Sequence, residues 1–150
     1  MEKKNALKLG YRVLAVATIV VFVVGIYNLI SFLGGLTNSS IAPKLSQDEI
    51  TGDWTLAFNG NPRNNGFLDV TLFLEITILD TNENVIATNS TTVLVKAGSN
   101  QPFSLVMRIP ADMVPDGKIE EAKGYFQVRM AVRELGNLMG LAQFMRIGSG

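Results

Sequence analysis

The sequence of 150 residues contains no cysteine and no histidine, and it has a single tryptophan. Without cysteine and histidine the chain lacks disulfides, thiolate nucleophiles, imidazole bases and the usual ligands of zinc and copper. It also lacks a glycine-rich phosphate loop and a nucleophile elbow. These absences predict a protein that is not an enzyme and that carries no cofactor and no metal ion.

Charge is balanced over the whole chain but is unevenly distributed. Four of the 13 basic residues lie in the first twelve positions, together with one acid, Glu2. The rest of the chain is mildly acidic, with 9 basic and 12 acidic residues. Because nucleic-acid affinity depends on basic charge on the folded domain, we predict no nucleic-acid partner. No small-molecule substrate is evident from the sequence either.

One long segment, residues 13–33, carries no charge. About 20 helical residues cover the ~30 Å hydrocarbon core of a bilayer, and lipid forces a helix even on a valine-rich segment. Gly34 and Gly35 are expected to end this helix. The sequence therefore predicts a basic cytoplasmic segment over 1–12 and a single-pass transmembrane helix over 13–35. The basic flank predicts that the C-terminal domain lies outside the cytoplasm, at the cell membrane.

Three alternatives to a permanent anchor remain open. A cleaved secretory signal usually has an apolar region of only ~7–15 residues, followed by a small-x-small site that is not found promptly here. A prepilin-type signal cut after Gly10 would leave Tyr11 and Arg12 at the head of the mature helix. A buried helix of a soluble protein is the third alternative. The length of the apolar run favours the anchor.

Small and polar residues interrupt the apolar segment at Gly25, Asn28 and Ser31. In lipid, such residues pack against other helices. We therefore expect these three positions to form a helix-packing face. The predicted partners are the lipid bilayer and other membrane or envelope proteins, or further copies of the chain.

The remaining residues predict a linker and a β domain. Residues 36–51 are polar and contain a proline, which is typical of a linker. From residue 52 the apolar period changes to two, most clearly at Val70, Leu72, Leu74, Ile76 and Ile78. Similar runs lie near 54–58, 85–95, 103–109, 126–132 and 138–147. Six strands with antiparallel links predict an all-β sandwich over 52–150.

Four acidic residues lie near one another in the loop predicted after Pro110, and they are Asp112, Asp116, Glu120 and Glu121. Calcium takes oxygen ligands of this kind. Their spacing lacks the alternating ligand pattern of a calcium loop, so we predict a solvated acidic loop.

Other side chains have structural interpretations that outweigh functional ones. Glu75 lies on the mixed face of the long strand, and Arg129 and Arg133 alternate along another. These charges favour a cross-strand ion pair or plain solvation over acid–base catalysis, since Glu75 has no second acid as a partner. Trp54 shares a face with apolar neighbours, so a core role is favoured over ligand stacking.

Two N-glycosylation sequons are present, Asn38-Ser39-Ser40 and Asn89-Ser90-Thr91. Both fall on the side of the span that is predicted to lie outside the cytoplasm. Asn38 and Asn89 are therefore candidate modification sites.

Several short motifs together resemble a known family. They are Asn61-Pro62, Ile78-Leu79-Asp80, Val85-Ile86-Ala87, Gly98-Ser99, the run from Phe103 to Pro110, and Gly124-Tyr125-Phe126. The sequence resembles the water-stress and hypersensitive-response domain of group 2 late-embryogenesis-abundant proteins and related exported domains of archaea. The resemblance implies an immunoglobulin-like or fibronectin-like sandwich, often behind a membrane anchor, without enzymatic activity. The polar turn at residues 63–66 is longer than the family pattern.

These observations predict an extracellular structural or protein-interaction module, such as an accessory subunit of a membrane or envelope complex. The alternative is a subunit of an extracellular filament that assembles through its N-terminal helix or through an edge strand. A hydrolase or transferase has no support in the sequence.

Overall fold

The computed structural model describes residues 2–38, 42–113 and 124–147, and in these ranges one helix is followed by seven strands. The helix, α1, spans Glu2–Asn38. The strands are β1 (Ala42–Gln47), β2 (Trp54–Gly60), β3 (Val70–Leu79), β4 (Val85–Val95), β5 (Phe103–Ile109), β6 (Tyr125–Glu134) and β7 (Met139–Ile147). Short 3₁₀ turns lie at Ala111–Met113 and Leu135–Asn137.

The strands form two antiparallel sheets, which together with their connections are called the β domain below. The first sheet has the order β1-β2-β5, and the second has the order β4-β3-β6-β7. The structure thus confirms an antiparallel all-β domain behind one apolar helix, and the six predicted strands correspond to β2–β7. The immunoglobulin-like or fibronectin-like class stays a prediction.

The inner faces of the two sheets share one apolar core. Buried residues alternate with half-buried ones along β3, and with exposed ones along β5, as a period of two requires. Each fully buried Leu, Ile or Val contributes roughly 1.5–3 kcal/mol. Trp54 of β2 is half-buried against this core. Two of the rows that form this core are Val70, Leu72, Leu74, Ile76 and Ile78 of β3, and Phe103, Leu105, Met107 and Ile109 of β5.

The predicted linker over 36–51 contains regular structure in its described residues, 36–38 and 42–51. Helix α1 continues through both glycines to Asn38, and β1 then pairs antiparallel with β2 over all six of its residues. Strand β1 lies at the edge of its sheet, where a proline such as Pro43 is tolerated because one side of the strand has no neighbour to bond. Leu45 packs against the core. A polar composition with one proline therefore suits an edge strand as well as a linker.

Helix α1 is long and apolar enough to cross a membrane. Its apolar part, Gly10–Leu36, has a mean hydropathy of 2.6. The large apolar side chains between Tyr11 and Val23 are all exposed, at 52–67%. This part of the helix stands free of the β domain, whereas the residues from Gly25 onward do not.

Candidate interface between the helix and the β domain

The last third of α1 is docked on the β domain through one face. The residues of this docking face follow a spacing of three and four, which places them on the same side of a helix. Phe32 is completely buried and belongs to the core shared by the two sheets. The docking face consists of Gly25, Asn28, Leu29, Phe32, Leu33 and Leu36. The helix is therefore part of the folded domain at one end and free at the other.

Two glycines let the helix approach closely. A Cβ atom on Gly35 would lie 2.5 Å from the main-chain oxygen of Arg63, which cannot move aside as a flexible side chain can. A Cβ atom on Gly25 would collide with the Sδ atom of Met139, at the start of β7. The helix thus meets the end of β6 and the start of β7 near Gly25, and it meets the loop before β3 near Gly35.

Asn28 is the polar centre of this interface. Its side chain is completely buried, and its Oδ1 atom accepts a hydrogen bond from the backbone N–H of Leu68 at 3.0 Å. Its Nδ2 atom donates to the carbonyl oxygen of Leu68 at 3.3 Å and to Oε2 of Glu134 at 2.6 Å. The side-chain amide of Asn28 therefore bonds both the backbone N–H and the carbonyl oxygen of Leu68, as a residue of a neighbouring strand would.

Glu134, the last residue of β6, is the acid at this interface. It is only 2% exposed, and its Oε1 atom has no hydrogen-bond partner in the described part of the chain. Burial raises the pKa of the Glu134 carboxyl, and the hydrogen bond from Asn28 acts in the opposite direction. The carboxyl is thus poised to become neutral more readily than an exposed one.

A second buried asparagine, Asn64, shapes the loop that receives the helix. Its Nδ2 atom donates to the carbonyl oxygens of Leu68 at 2.7 Å and Val95 at 3.1 Å, and its Oδ1 accepts from the N–H of Gly66 at 2.9 Å. Any side chain at Gly66 would collide with Oδ1 of Asn28. The long polar turn noted in the sequence is therefore the docking loop, residues 61–69.

The predicted helix-packing residues divide between this interface and its border. Gly25 and Asn28 are buried against the chain's own β domain, and Ser31 is half-buried beside them. Since both polar atoms of Asn28 are bonded within the chain, that side chain makes its contacts here without a second helix. Packing of the free part of α1 against another helix stays a prediction.

The other predicted residues lie apart from the interface. Asn89 is exposed on β4, where its Nδ2 atom donates to the carbonyl oxygen of Val106 at 2.7 Å. Asn38 is the last residue of α1. Asp112 is exposed in the 3₁₀ turn after β5. The remaining members of the acidic cluster, Asp116, Glu120 and Glu121, and the sequon residues Ser39 and Ser40, lie outside the described residues.

The charged residues predicted to pair on the outer face lie in register without forming an ion pair. Glu75 of β3 is directly opposite Arg129 of β6, but no ion pair joins these two side chains in the described part of the chain. The guanidinium of Arg129 also lies over two rings, 5.8 Å from the centroid of Phe73 and 5.4 Å from that of Phe144 on β7. Cation–π contacts of this kind contribute roughly 0.5–1 kcal/mol each at exposed sites. Arg129 thus links three strands, and Arg133 is exposed further along β6.

Other ionisable groups in residues 2–38, 42–113 and 124–147 form surface pairs, such as Arg108 with Asp53 at 2.8 Å. These ranges contain no cluster of three acidic residues placed to hold a metal ion. An open depression of about 550 Å³ lies beside the interface, with Phe67, Leu94 and Arg133 among its lining residues. The arrangement joins the C-terminal part of a helix to two sheets.

Comparison with known proteins yields only distant structural likeness. Neither a protein-family profile nor a curated protein sequence matches the chain. A Bacteroides uniformis β-glucuronidase is 18% identical with a TM-score of 0.45, over 70% of this chain and 12% of that one. An ApaA protein from Bordetella pertussis is 11% identical with a TM-score of 0.44, over 73% of this chain and 90% of that one. The chain thus spans about an eighth of the glucuronidase, and TM-scores below 0.5 carry no argument about fold or function.

Proposed function

We propose that this protein is a membrane-anchored structural or protein-interaction module that presents its β domain outside the cytoplasm. In this proposal it acts as an accessory subunit of a membrane or envelope complex and has no catalytic activity of its own. The observation that carries the proposal is the division of α1 into a free apolar part and a part docked in the core.

The free part supports anchoring. Its large apolar side chains are exposed around the helix, which in water would be unfavourable and in lipid is the normal arrangement. The basic residues Lys3, Lys4, Lys8 and Arg12 precede it, so the N-terminus is expected in the cytoplasm.

The docked part supports a structural role. Because Phe32 and Leu36 belong to the core, the β domain cannot swing freely on a flexible tether. The helix direction fixes the orientation of the sheets relative to the membrane. A module held in this way presents the same surfaces to every partner, which suits a subunit of an ordered complex.

A filament subunit is the second candidate. The exposed apolar helix could be buried among the helices of neighbouring copies, and β7 is an edge strand with exposed Leu141, Phe144 and Met145. This candidate requires extended assemblies, whereas the accessory module requires none.

Membrane extraction of the full chain tests the proposal. We expect the protein to stay in the membrane pellet after alkaline carbonate treatment, with an intact mass that includes residues 1–35. A variant with Val16→Asp and Val20→Asp should be released, because charge in the centre of a span costs roughly 2.5–3.5 kcal/mol per residue. A matched Val16→Leu and Val20→Leu variant should stay in the pellet.

Other outcomes separate the alternatives. Release of the full-length wild-type chain into the aqueous fraction would overturn the anchor. Loss of the first ten residues, with extended polymers in electron micrographs, would favour the filament. Loss of the whole helix would favour a secreted protein.

A further inference from the structure

The free part of α1 is shorter than a bilayer. Twelve residues, 13–24, lie between the basic flank and the first docked residue, Gly25. At a rise of ~1.5 Å per residue they cover about 18 Å of a ~30 Å hydrocarbon core. Counting from Gly10 extends this only to about 22 Å. The remaining depth has to come from helix residues that are docked on the β domain.

The docked segment keeps an apolar outer face that suits this need. Ile26, Tyr27 and Ile30 point away from the sheets and are 42%, 55% and 64% exposed. They continue the apolar surface of the free helix without a polar break. If the domain stood clear of the membrane, these three side chains would be left in water.

Two residues of the β domain extend the same surface. Phe67, in the docking loop, is 72% exposed, and its ring stacks on that of Tyr27 with centroids 5.9 Å apart. Leu138, in the β6–β7 connection, is 84% exposed and precedes Met139, whose sulfur lies against Gly25. Both residues therefore lie where the helix leaves the β domain.

We infer that these five residues form a lipid rim, Ile26, Tyr27, Ile30, Phe67 and Leu138, that lies in the interfacial layer of the bilayer. The β domain thus rests against the membrane with its helix end immersed. The inference rests on the proposed anchor and adds a lipid-binding surface to it. Aromatic side chains favour this layer, since one end of a span meets both acyl chains and headgroups there.

The charged side chains beside the lipid rim indicate which type of lipid headgroup is sufficient for binding. One basic residue, Arg133, and two acidic residues, Asp69 and Glu134, line the same open depression as Phe67. This set of side chains provides no excess of positive charge that would select an anionic headgroup. We therefore expect zwitterionic phosphatidylcholine to occupy the rim without a requirement for anionic lipid.

Single-tryptophan probes in the full chain test the inference. Trp54→Phe removes the only native tryptophan, and each probe is then added to this background. The rim probes are Phe67→Trp and Leu138→Trp, at exposed positions where core packing is unaffected. Val16→Trp lies in the free part of α1 and reports whether this part of the helix is in lipid. Ile50→Trp, at a 95% exposed position in the β1–β2 turn, is the matched control at the opposite end of the strands.

The measurement is tryptophan emission in phosphatidylcholine vesicles, with and without bromine near the headgroup end of the acyl chains. We expect blue-shifted emission and quenching at Phe67→Trp and Leu138→Trp, at least half as strong as at Val16→Trp. The Ile50→Trp probe should emit as in water and should not be quenched. Circular dichroism of each variant verifies that the sheets are intact.

Each other result overturns a specific part of the inference. If Val16→Trp is quenched and the rim probes behave like Ile50→Trp, the rim is wrong and the anchor stands. If Val16→Trp itself is not quenched, the anchor fails and the rim fails with it. Blue-shifted but unquenched rim probes would mean that protein, such as a second copy, covers this surface. Equal quenching at Ile50→Trp would mean non-specific adsorption and would also overturn it.

Discussion

Replacing Asn28 by leucine tests the docked helix most directly. Leucine has the same branched side chain, with two slightly larger methyl groups in place of the amide oxygen and nitrogen, so the change removes hydrogen bonds without opening a cavity. The backbone N–H of Leu68 loses its acceptor, and Glu134 loses its donor. The carbonyl oxygen of Leu68 remains bonded, because Asn64 also donates to it at 2.7 Å.

The expected cost follows from these two losses. A buried neutral donor without a partner costs about 1–3 kcal/mol, and a hydrogen bond to a charged group contributes about 1.5–3 kcal/mol. Together they should weaken docking by about 2.5–6 kcal/mol, a large share of the 5–15 kcal/mol that typically holds a domain together. Since every 1.4 kcal/mol is a factor of ten, exchange of the Leu68 amide should accelerate about 60-fold or more.

Amide hydrogen exchange in detergent micelles is the appropriate assay, because the Leu68 amide donates directly to the substituted side chain. Thr18→Leu is the matched control: its hydroxyl bonds only within the free part of α1, to the carbonyl oxygen of Leu14. It should leave Leu68 exchange unchanged. Adding Glu134→Leu to Asn28→Leu should recover part of the loss, because no buried carboxyl is then left without its donor. Wild-type exchange of Leu68 in Asn28→Leu would refute the docked interface.

Four further substitutions test the interface and the surface of the β domain. Burial raises the pKa of the Glu134 carboxyl, so the contribution of this carboxyl to stability is complete below its ordinary pKa of 4.5 and is lost as pH rises through the elevated value. Glu134→Gln removes this titration, so the thermal midpoint of the variant should decrease less with rising pH than that of the wild type. Gly35→Ala should destabilise the chain by about 1–3 kcal/mol, because its Cβ meets the Arg63 backbone. Gly34→Ala, with open space at its Cβ, should be neutral or stabilising by up to about 1 kcal/mol in the same denaturation assay. Asn89→Gln should abolish any glycan mass carried on β4, and an unmodified wild-type mass from its native host would exclude that site.

The strands could be predicted because the core residues of each strand alternate with its outer residues, and this alternation is visible in a short stretch of sequence. The five aliphatic residues of β3 alternate in sequence, and the same five are buried in the structure. Strand β1 was not predicted, because it contributes only Leu45 to the core and contains Pro43, which an edge strand tolerates. Its sequence therefore resembles a polar linker. Its partner β2 identifies it only in three dimensions.

The docked helix could not be predicted from hydropathy, because hydropathy averages over the face that meets the sheets and the faces that do not. Asn28 was a visible signal, as a polar residue in an apolar span. Glu134 was a signal too: it follows Val128, Met130 and Val132 at intervals of two, which places an acid on the core face of β6. Neither residue alone indicates that the two side chains are in contact. The resemblance to the water-stress domain stays a prediction.

The separation of the two interface residues along the chain has a consequence for biogenesis. Asn28 and Glu134 are 106 positions apart, so synthesis has to proceed through the end of β6 before the amide can meet its carboxyl. Until then the Asn28 side chain lacks the acceptor that it has in the folded protein. Closure of this contact is therefore a late event in the folding of these residues, and it depends on the formation of β6.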